Sequence, residues 1–477
     1  MAMCRSLIRL GRLLLTEVGG DSYAFGDGID PRGTGPCTVV VRSPTFYRKL
    51  ALRSDIGFAE AYVAGDIDCR PSIQAVLELA IANRDNADCK SALCTDFAAL
   101  ENVGLPSGLL SKSRALFANS FGLLIERSAG LVTSVVGSTI AYWNQLRKKN
   151  TLKQAQRNVS AHYDLSNEMF KFFLDETMTY SCAVFDSKNE TLEAAQRRKL
   201  KMLADKALVR SGQRVLDIGF GWGSLAILLA KEYECHVTGI TLSKEQLELA
   251  RERVSDAGVQ HMVDLKLEDY RTMKAERFDR ILCCEMLEAI GHDYLGEFFF
   301  HCDRLLNPKG IVAVQVITTP EVRYETYRKS SDFIRVRIQM ECFRGSEPFV
   351  LLAIRSHGFN ISPQEYIFPG AHCPSYHALV DAAAQQSSFT VAHAEDIGGH
   401  YAETLLRWRK AFLRNKESLK MLGFGEEFIR TWNYYFQYCA AGFNTRTLGD
   451  MQIVFTRTGN CSELGGVTSC CMQDMHV

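Results

Sequence analysis

Three stretches of the sequence carry residues whose types and spacing suit chemistry. VLDIGFGWGSLAILLAKEYECHVTGITLS, from Val215 to Ser243, sets Asp217 at the end of an apolar run and follows it with Gly219, Gly221 and Gly223. Glycines are needed where a Cβ would hold the backbone away from a ligand or forbid a positive φ. The G-x-G-x-G spacing differs from the dinucleotide pattern G-x-G-x-x-G, and Trp222 between the glycines leaves little room for a pyrophosphate. The next apolar run ends in Thr241, Leu242 and Ser243, with Gln246 beyond, where a dinucleotide site would carry a ribose-binding carboxylate. An adenosyl ligand bearing methionine, with no phosphate, fits this turn. Upstream, MTYSCAVF supplies Tyr180, Ser181 and Cys182, and downstream CEMLEAIGH supplies the carboxylate of Glu288.

Such residues need a scaffold that collects them at one end of a sheet. From about residue 158 onward, apolar strand-like runs alternate with helical patterns, which predicts a doubly wound, mostly parallel, Rossmann-like α/β sheet. RVLDIGF, CHVTGIT, FDRILCCEM and GIVAVQVIT are four of its expected strands. Residues 1–95 read as a smaller α+β N-terminal domain whose text is strand-like and turn-rich, and 96–157 as a helical connector ending in the basic QLRKKNTLK. Residues 461–477 read as a disordered tail. The opening segment, with Leu7, Ile8, Leu10 and Leu13 to Leu15 near Arg5, Arg9 and Arg12, predicts a short amphipathic helix, resting on a membrane or packed on its own domain.

Composition narrows the function. The chain has 477 residues, 47% of them hydrophobic, and 55 basic side chains against 55 acidic ones. That balance argues against a nucleic-acid partner. Sixteen cysteines are scattered without metal-ligand spacing, so no metal is expected, and with no cleavable leader evident a reducing, cytoplasmic compartment is expected. No segment offers the roughly 20 uninterrupted apolar residues of a membrane span; Ala115 to Trp143 is broken by Glu126 and Arg127. The chain can lie on a bilayer without crossing it.

HYDLSNEMF, MTYSCAVF, VLDIGFGWGSLA, TGITLSKEQL, CEMLEAIGH and GGHYAETLLRWR, in this order, resemble cyclopropane-fatty-acyl-phospholipid synthases, most closely the synthase portion of the plant-type proteins. The likeness runs from about residue 7 to 460. It implies a methyltransferase domain over 158–460 that moves a methyl group from S-adenosyl-L-methionine to a cis double bond of an unsaturated phospholipid acyl chain. Ring closure by proton loss follows. It also implies peripheral contact with a membrane, and the sequence is compatible with a homodimer. The resemblance assigns the cofactor to Tyr180 and Ser181, to Gly219, Gly221, Trp222 and Gly223, and to Thr241, Leu242, Ser243 and Gln246. Asp217 would orient the loop amides or the methionine ammonium. Bicarbonate would be the base, caged by Cys182, Glu288, Gln315, Ile317 and Tyr401; bacterial relatives usually have His where this chain has Gln315.

The chemistry sets its own demands. An alkene is a weak nucleophile, so the methyl donor must be held in line and water excluded. The resulting carbocation is stabilised by aromatic faces at about 1 kcal/mol each, and Tyr163, Phe170, Phe173, Tyr180 and Phe185 crowd the segment before the glycine loop. Cys182 has no His near it in sequence, so it reads as a hydrogen-bonding wall and not a nucleophile. His162 and Asp164 read as part of a lid. Phe220 stands where the family generally has Cys. Residues 335–364 match nothing in the family pattern and read as an insertion. Two rivals remain: an N-methyltransferase acting on a small amine, and a lipid-binding homologue impaired in catalysis.

Overall fold

The computed structural model describes residues 8–26, 35–84, 167–274, 276–329 and 372–460. The expected connector, the lid residues His162 and Asp164, the insertion at 335–364, Tyr163 and the tail lie outside them. The chain divides into two compact units. One gathers Met1–Arg147, Thr326–Glu365 and Lys416–Thr445; the other gathers Lys148–Glu325, Tyr366–Asn415 and Arg446–Val477.

The first unit holds a four-stranded sheet of order β2-β1-β3-β4, built from β1 (Leu13–Glu17), β2 (Ser22–Phe25), β3 (Cys37–Val41) and β4 (Ile67–Arg70). Strand β3 buries Cys37, Val39 and Val41 on alternate positions, the period of a half-buried strand. The segment Leu13–Glu17 is a strand and not the expected helix: it pairs in parallel with β3, Leu13 opposite Cys37, and antiparallel with β2. Backbone pairing on both edges outweighs the helical spacing of its leucines. Conversely, much of the text that reads as strand forms the helix α1 (Thr45–Val63). Ser72 starts α2 (Ile73–Asn83), its Oγ accepting from the Ala75 amide at 3.1 Å.

This unit is completed from far along the sequence by the helix Glu426–Asn444. Gln437 Oε1 accepts from the Ile73 amide at 3.2 Å, Asn444 Nδ2 donates to Glu78 Oε1 at 2.8 Å, and the Arg430 guanidinium lies 4.1 Å from the Tyr62 ring centre. The packing therefore removes 416–445 from the expected 158–460 block.

The second unit is a seven-stranded sheet of order β10-β11-β9-β8-β5-β6-β7. Strands β5 (Arg214–Ile218), β6 (His236–Thr241), β7 (Val263–Leu267), β8 (Phe278–Cys284) and β9 (Leu306–Thr318) are parallel. β11 (Gly449–Arg457) inserts antiparallel between β9 and β10 (Phe389–Asp396). Helices α3 (Leu192–Lys206), α4 (Ser224–Glu232) and α5 (Lys244–Asp256) cover one face; α6 (Leu295–Leu305) and α7 (Tyr376–Gln386) cover the other. The strand order reverses between β5 and β8, the crevice where doubly wound sheets take ligands at their carboxyl ends. Among the described residues no helix is long and apolar enough to cross a membrane.

Strand alternation fixes what reaches that crevice. Val215, Leu282 and Ala313 pack under α3 to α5, while Leu216, Ile281, Cys283 and Val314 pack under α6 and α7. Asp217, Cys284 and Gln315 thus fall on the α3 side, one residue out of phase with the second core. Gln452 lies opposite Gln315 across the β9–β11 pair.

Candidate active site

The glycine loop leaves β5 with Gly219, Gly221 and Gly223 at φ 81°, 57° and 84°. A Cβ on Gly219 would come within 2.8 Å of the Met286 side chain, so glycine is required there, whereas one on Gly221 would meet nothing within 4 Å. Gly221 therefore borders free space at the mouth of the crevice. Gly223 caps α4, and Trp222 is buried, its Nε1 donating to Asn167 Oδ1 at 2.8 Å. Asp217 is 1% exposed and its Oδ2 has no hydrogen-bond partner; burial pushes its carboxyl up to about 7, with Lys199 opposing. An orphaned acid beneath a loop of outward space fits a ligand that brings its own cation, as the methionine ammonium would.

At the end of β6, Thr241 Oγ1 donates to Gln246 Oε1 at 3.1 Å, and Ser243 caps α5 by accepting from the Gln246 amide at 3.2 Å. Leu242 between them is half-buried. This short turn fixes the buried Gln246 side chain at the carboxyl end of β6. Tyr180 belongs to an aromatic cluster, its ring centre 5.3 Å from Phe170, 6.0 Å from Phe173 and 5.1 Å from Trp408. Phe185 lies under the Arg407 guanidinium instead, at 4.3 Å. Phe220 is buried and its ring abuts Gly239 of β6, where a Cβ would stand 2.9 Å away.

The residues assigned to the bicarbonate cage are brought together, but around a side chain the sequence reading omits. Glu285 follows the last residue of β8 at φ 50°, unusual for a residue other than glycine. Its Oε1 accepts from the Cys182 amide at 2.8 Å and from Gln315 Nε2 at 2.7 Å, and its Oε2 accepts from the Tyr401 hydroxyl at 2.5 Å. Glu288, one helical turn on, takes a different partner, the Ile317 amide at 2.5 Å, and leaves Oε2 enclosed without one. Gln315 also donates to Asp450 Oδ2 at 3.0 Å, and its own oxygen accepts from Gln452 Nε2 at 3.0 Å. Bicarbonate does not fit this arrangement, because the donors meant for it already converge on a carboxylate of the chain.

Burial governs the electrostatics. It raises Glu288 to about 8, with the charge of Glu285 adding to the effect, and it raises Asp450 well above the usual carboxylate range, with Glu285 and Glu288 adding. Burial thus favours the protonated form of both acids. The Cys182 thiol is likewise pushed well above its ordinary value by burial, then by Asp450 and Glu285, so it is no thiolate. Lys199, fully buried on α3, donates to Ser181 Oγ and lies 3.3 Å from Cys284 Sγ. Its charge opposes, without outweighing, the upward push of burial on Asp217 and Asp450.

Glu285, Lys199, Asp450 and Gln452 all escaped the sequence reading, though each left a signal. Gln196 and Lys199 break the apolar stripe of α3, Asp450 and Gln452 share the inward period of a buried strand, and Glu285 sits at a strand's carboxyl end beside the switch point.

Comparison with known proteins agrees with this architecture. Residues 150–453 match the family model described as mycolic acid cyclopropane synthetase. The chain is 32% identical over 454 residues, 94% of its length and 88% of the relative's, to the tuberculostearic acid methyltransferase UfaA1 of Mycobacterium tuberculosis. It is 28% identical over 432 residues, 90% of each chain, to the cyclopropane-fatty-acyl-phospholipid synthase of Escherichia coli strain K12. Among solved structures, the mycolic acid cyclopropane synthase CmaA1 complexed with SAH and CTAB superposes with a TM-score of 0.52 at 29% identity, over 63% of this chain and 98% of that one. A parallel sheet with its switch point under a triple-glycine loop, a buried acid cluster beside it and these matches together place the chain in the mycolic acid cyclopropane synthetase family, an enzyme family of S-adenosylmethionine-dependent methyltransferases.

Proposed function

We propose that the chain alkylates the cis double bond of an unsaturated acyl chain, carried by a phospholipid at a membrane surface that the protein touches peripherally from the cytoplasmic side. The observation that carries this reading is the acid cluster of Glu285, Glu288 and the fully buried Asp450 set beside an aromatic wall and a cofactor loop. An acyl substrate is favoured over an amine by the relatives at 32% and 28% identity, a tuberculostearic acid methyltransferase and a cyclopropane-fatty-acyl-phospholipid synthase. When bound, S-adenosylmethionine supplies an electrophilic sulfonium methyl group.

Asp217 and the turn Thr241–Gln246 would hold that ligand, and the glycine backbone would let it approach. Tyr180, backed by Phe170 and Trp408, presents aromatic surface to the cation that develops on the acyl chain, worth about 1 kcal/mol per face or more once water is gone. Burial excludes water that would capture the cation. The proton is then lost to a base in the acid cluster, and the ring closes. A methylated product is the second reading, favoured by the 32% identity to a tuberculostearic acid methyltransferase: a hydride shift before proton loss gives an exocyclic methylene group on the same carbon skeleton.

Expression in a host that has oleoyl phospholipids and no synthase of its own tests both. Mass spectrometry should find acyl chains heavier by one CH₂, and proton NMR separates ring from exocyclic methylene protons. Unaltered acyl chains, with the cofactor bound by the purified protein, would remove the proposal.

A further inference from the structure

We propose that Glu285 is the base of the proton-abstraction step and occupies the place that the family pattern gives to bicarbonate. This rests on the reaction proposed above. A carboxylate and bicarbonate present the same planar pair of oxygens, and three donors from three separate segments meet Glu285 on both of them: the Cys182 amide at 2.8 Å, Gln315 Nε2 at 2.7 Å and the Tyr401 hydroxyl at 2.5 Å. All three are groups the resemblance reserves for the anion.

Two further observations fit the substitution. Gln315 is fixed with its NH₂ toward Glu285 because Gln452 Nε2 holds the opposite end of the amide at 3.0 Å; a tethered carboxylate needs a donor at this position, not a titrating imidazole. The backbone of Glu285 is held at φ 50° with its amide donating to the Gln315 carbonyl at 2.8 Å, so a left-handed residue is kept at the site where only glycine would be free of strain. The neighbouring acids lack this convergence of donors: Glu288 Oε1 takes the Ile317 amide and Asp450 Oδ2 takes Gln315 Nε2, and burial favours the protonated form of both. Tethering also spares the site the capture of a free anion.

The step balances within the site. The C–H bond of the newly added methyl group breaks, its electron pair forms the bond to the cationic carbon, and the proton passes to a Glu285 oxygen. The cation and the carboxylate charge cancel. Loss of that proton to solvent restores Glu285 for the next turnover.

The experiment is a rate measurement on the full chain with oleoyl phosphatidylglycerol vesicles and S-adenosylmethionine, in buffer purged of carbon dioxide and in buffer with added bicarbonate. The wild-type rate should be the same in both. Glu285→Gly, which suits the positive φ, should lose about 100-fold or more in purged buffer and regain rate with bicarbonate or formate, while cofactor affinity by calorimetry stays unchanged. The same variant should broaden the ¹³C signal of labelled bicarbonate, and the wild type should not. Wild-type turnover that needs bicarbonate, or a Glu285→Gly variant fully active without it, overturns the assignment while leaving the function intact. No alkylated product in either buffer overturns the function, and the assignment with it.

Discussion

Glu288 and Gly221 test opposite sides of the same crevice. Glu288→Gln keeps an oxygen for the Ile317 amide but cannot hold a proton for the acid cluster, so turnover should fall by about 100-fold with little change in cofactor affinity. Equal losses in both would contradict that placement. Gly221→Ala should weight the effects the other way: its Cβ enters the open space of the loop at φ 57°, and strain of about 1–2 kcal/mol should weaken cofactor binding roughly tenfold in a calorimetric titration. The acid cluster also sets a pH signature. Glu288 titrates near 8 folded against 4.5 unfolded, so between those values the folded state holds a proton that the unfolded chain has lost. Stability must fall as pH rises through that window, by at most about 1.4 kcal/mol per pH unit from this group, and be level above it. Denaturant midpoints from pH 5 to 8 should slope less in Glu288→Gln.

At the scale of elements, the pairing of Phe220 with Gly239 keeps the glycine loop against β6. The Phe220 ring fills the space there, and the bare backbone of Gly239 accommodates it. Gly239→Ala would put its Cβ 2.9 Å from Phe220 Cδ1 and 2.6 Å from Leu265 Cδ2, an overpacking that should cost about 1–3 kcal/mol and loosen the loop. Phe220→Leu in the same chain should recover part of it, and a double-mutant cycle by thermal melts measures the coupling. Additive losses would mean that the two do not share the space.

For the whole molecule, the notable feature is an N-terminal unit finished by a helix that follows it by more than 300 residues in the sequence. Tyr434 is 1% exposed, with its ring centre 5.9 Å from that of Tyr62. Tyr434→Ala should cost about 3 kcal/mol or more. Amide exchange should quicken not only within Glu426–Asn444 but also in α2 and β3. Exchange confined to the C-terminal helix would show that it is an appendage and not part of that core.

The sequence by itself determined the parallel sheet and the loop. Apolar runs such as RVLDIGF and CHVTGIT are long, local and unambiguous in period, and Gly219 to Gly223 announce a close backbone approach because no other residue can serve there. It also named Cys182, Gln315 and Tyr401 as neighbours, through motifs that survive without coordinates. It did not make a strand of Leu13–Glu17, whose leucines suit a helix until two strand edges are offered. Nor could it assign Lys416–Thr445 to the first unit, because long-range packing leaves no mark in local periodicity. Above all, CEMLEAIGH holds two glutamates three residues apart, and nothing local says which one the donors seek. Tertiary structure decides it: the turn after β8 sends Glu285 toward Cys182, Gln315 and Tyr401, which come from a loop, a strand and a helix that only folding brings within 3 Å of one carboxylate.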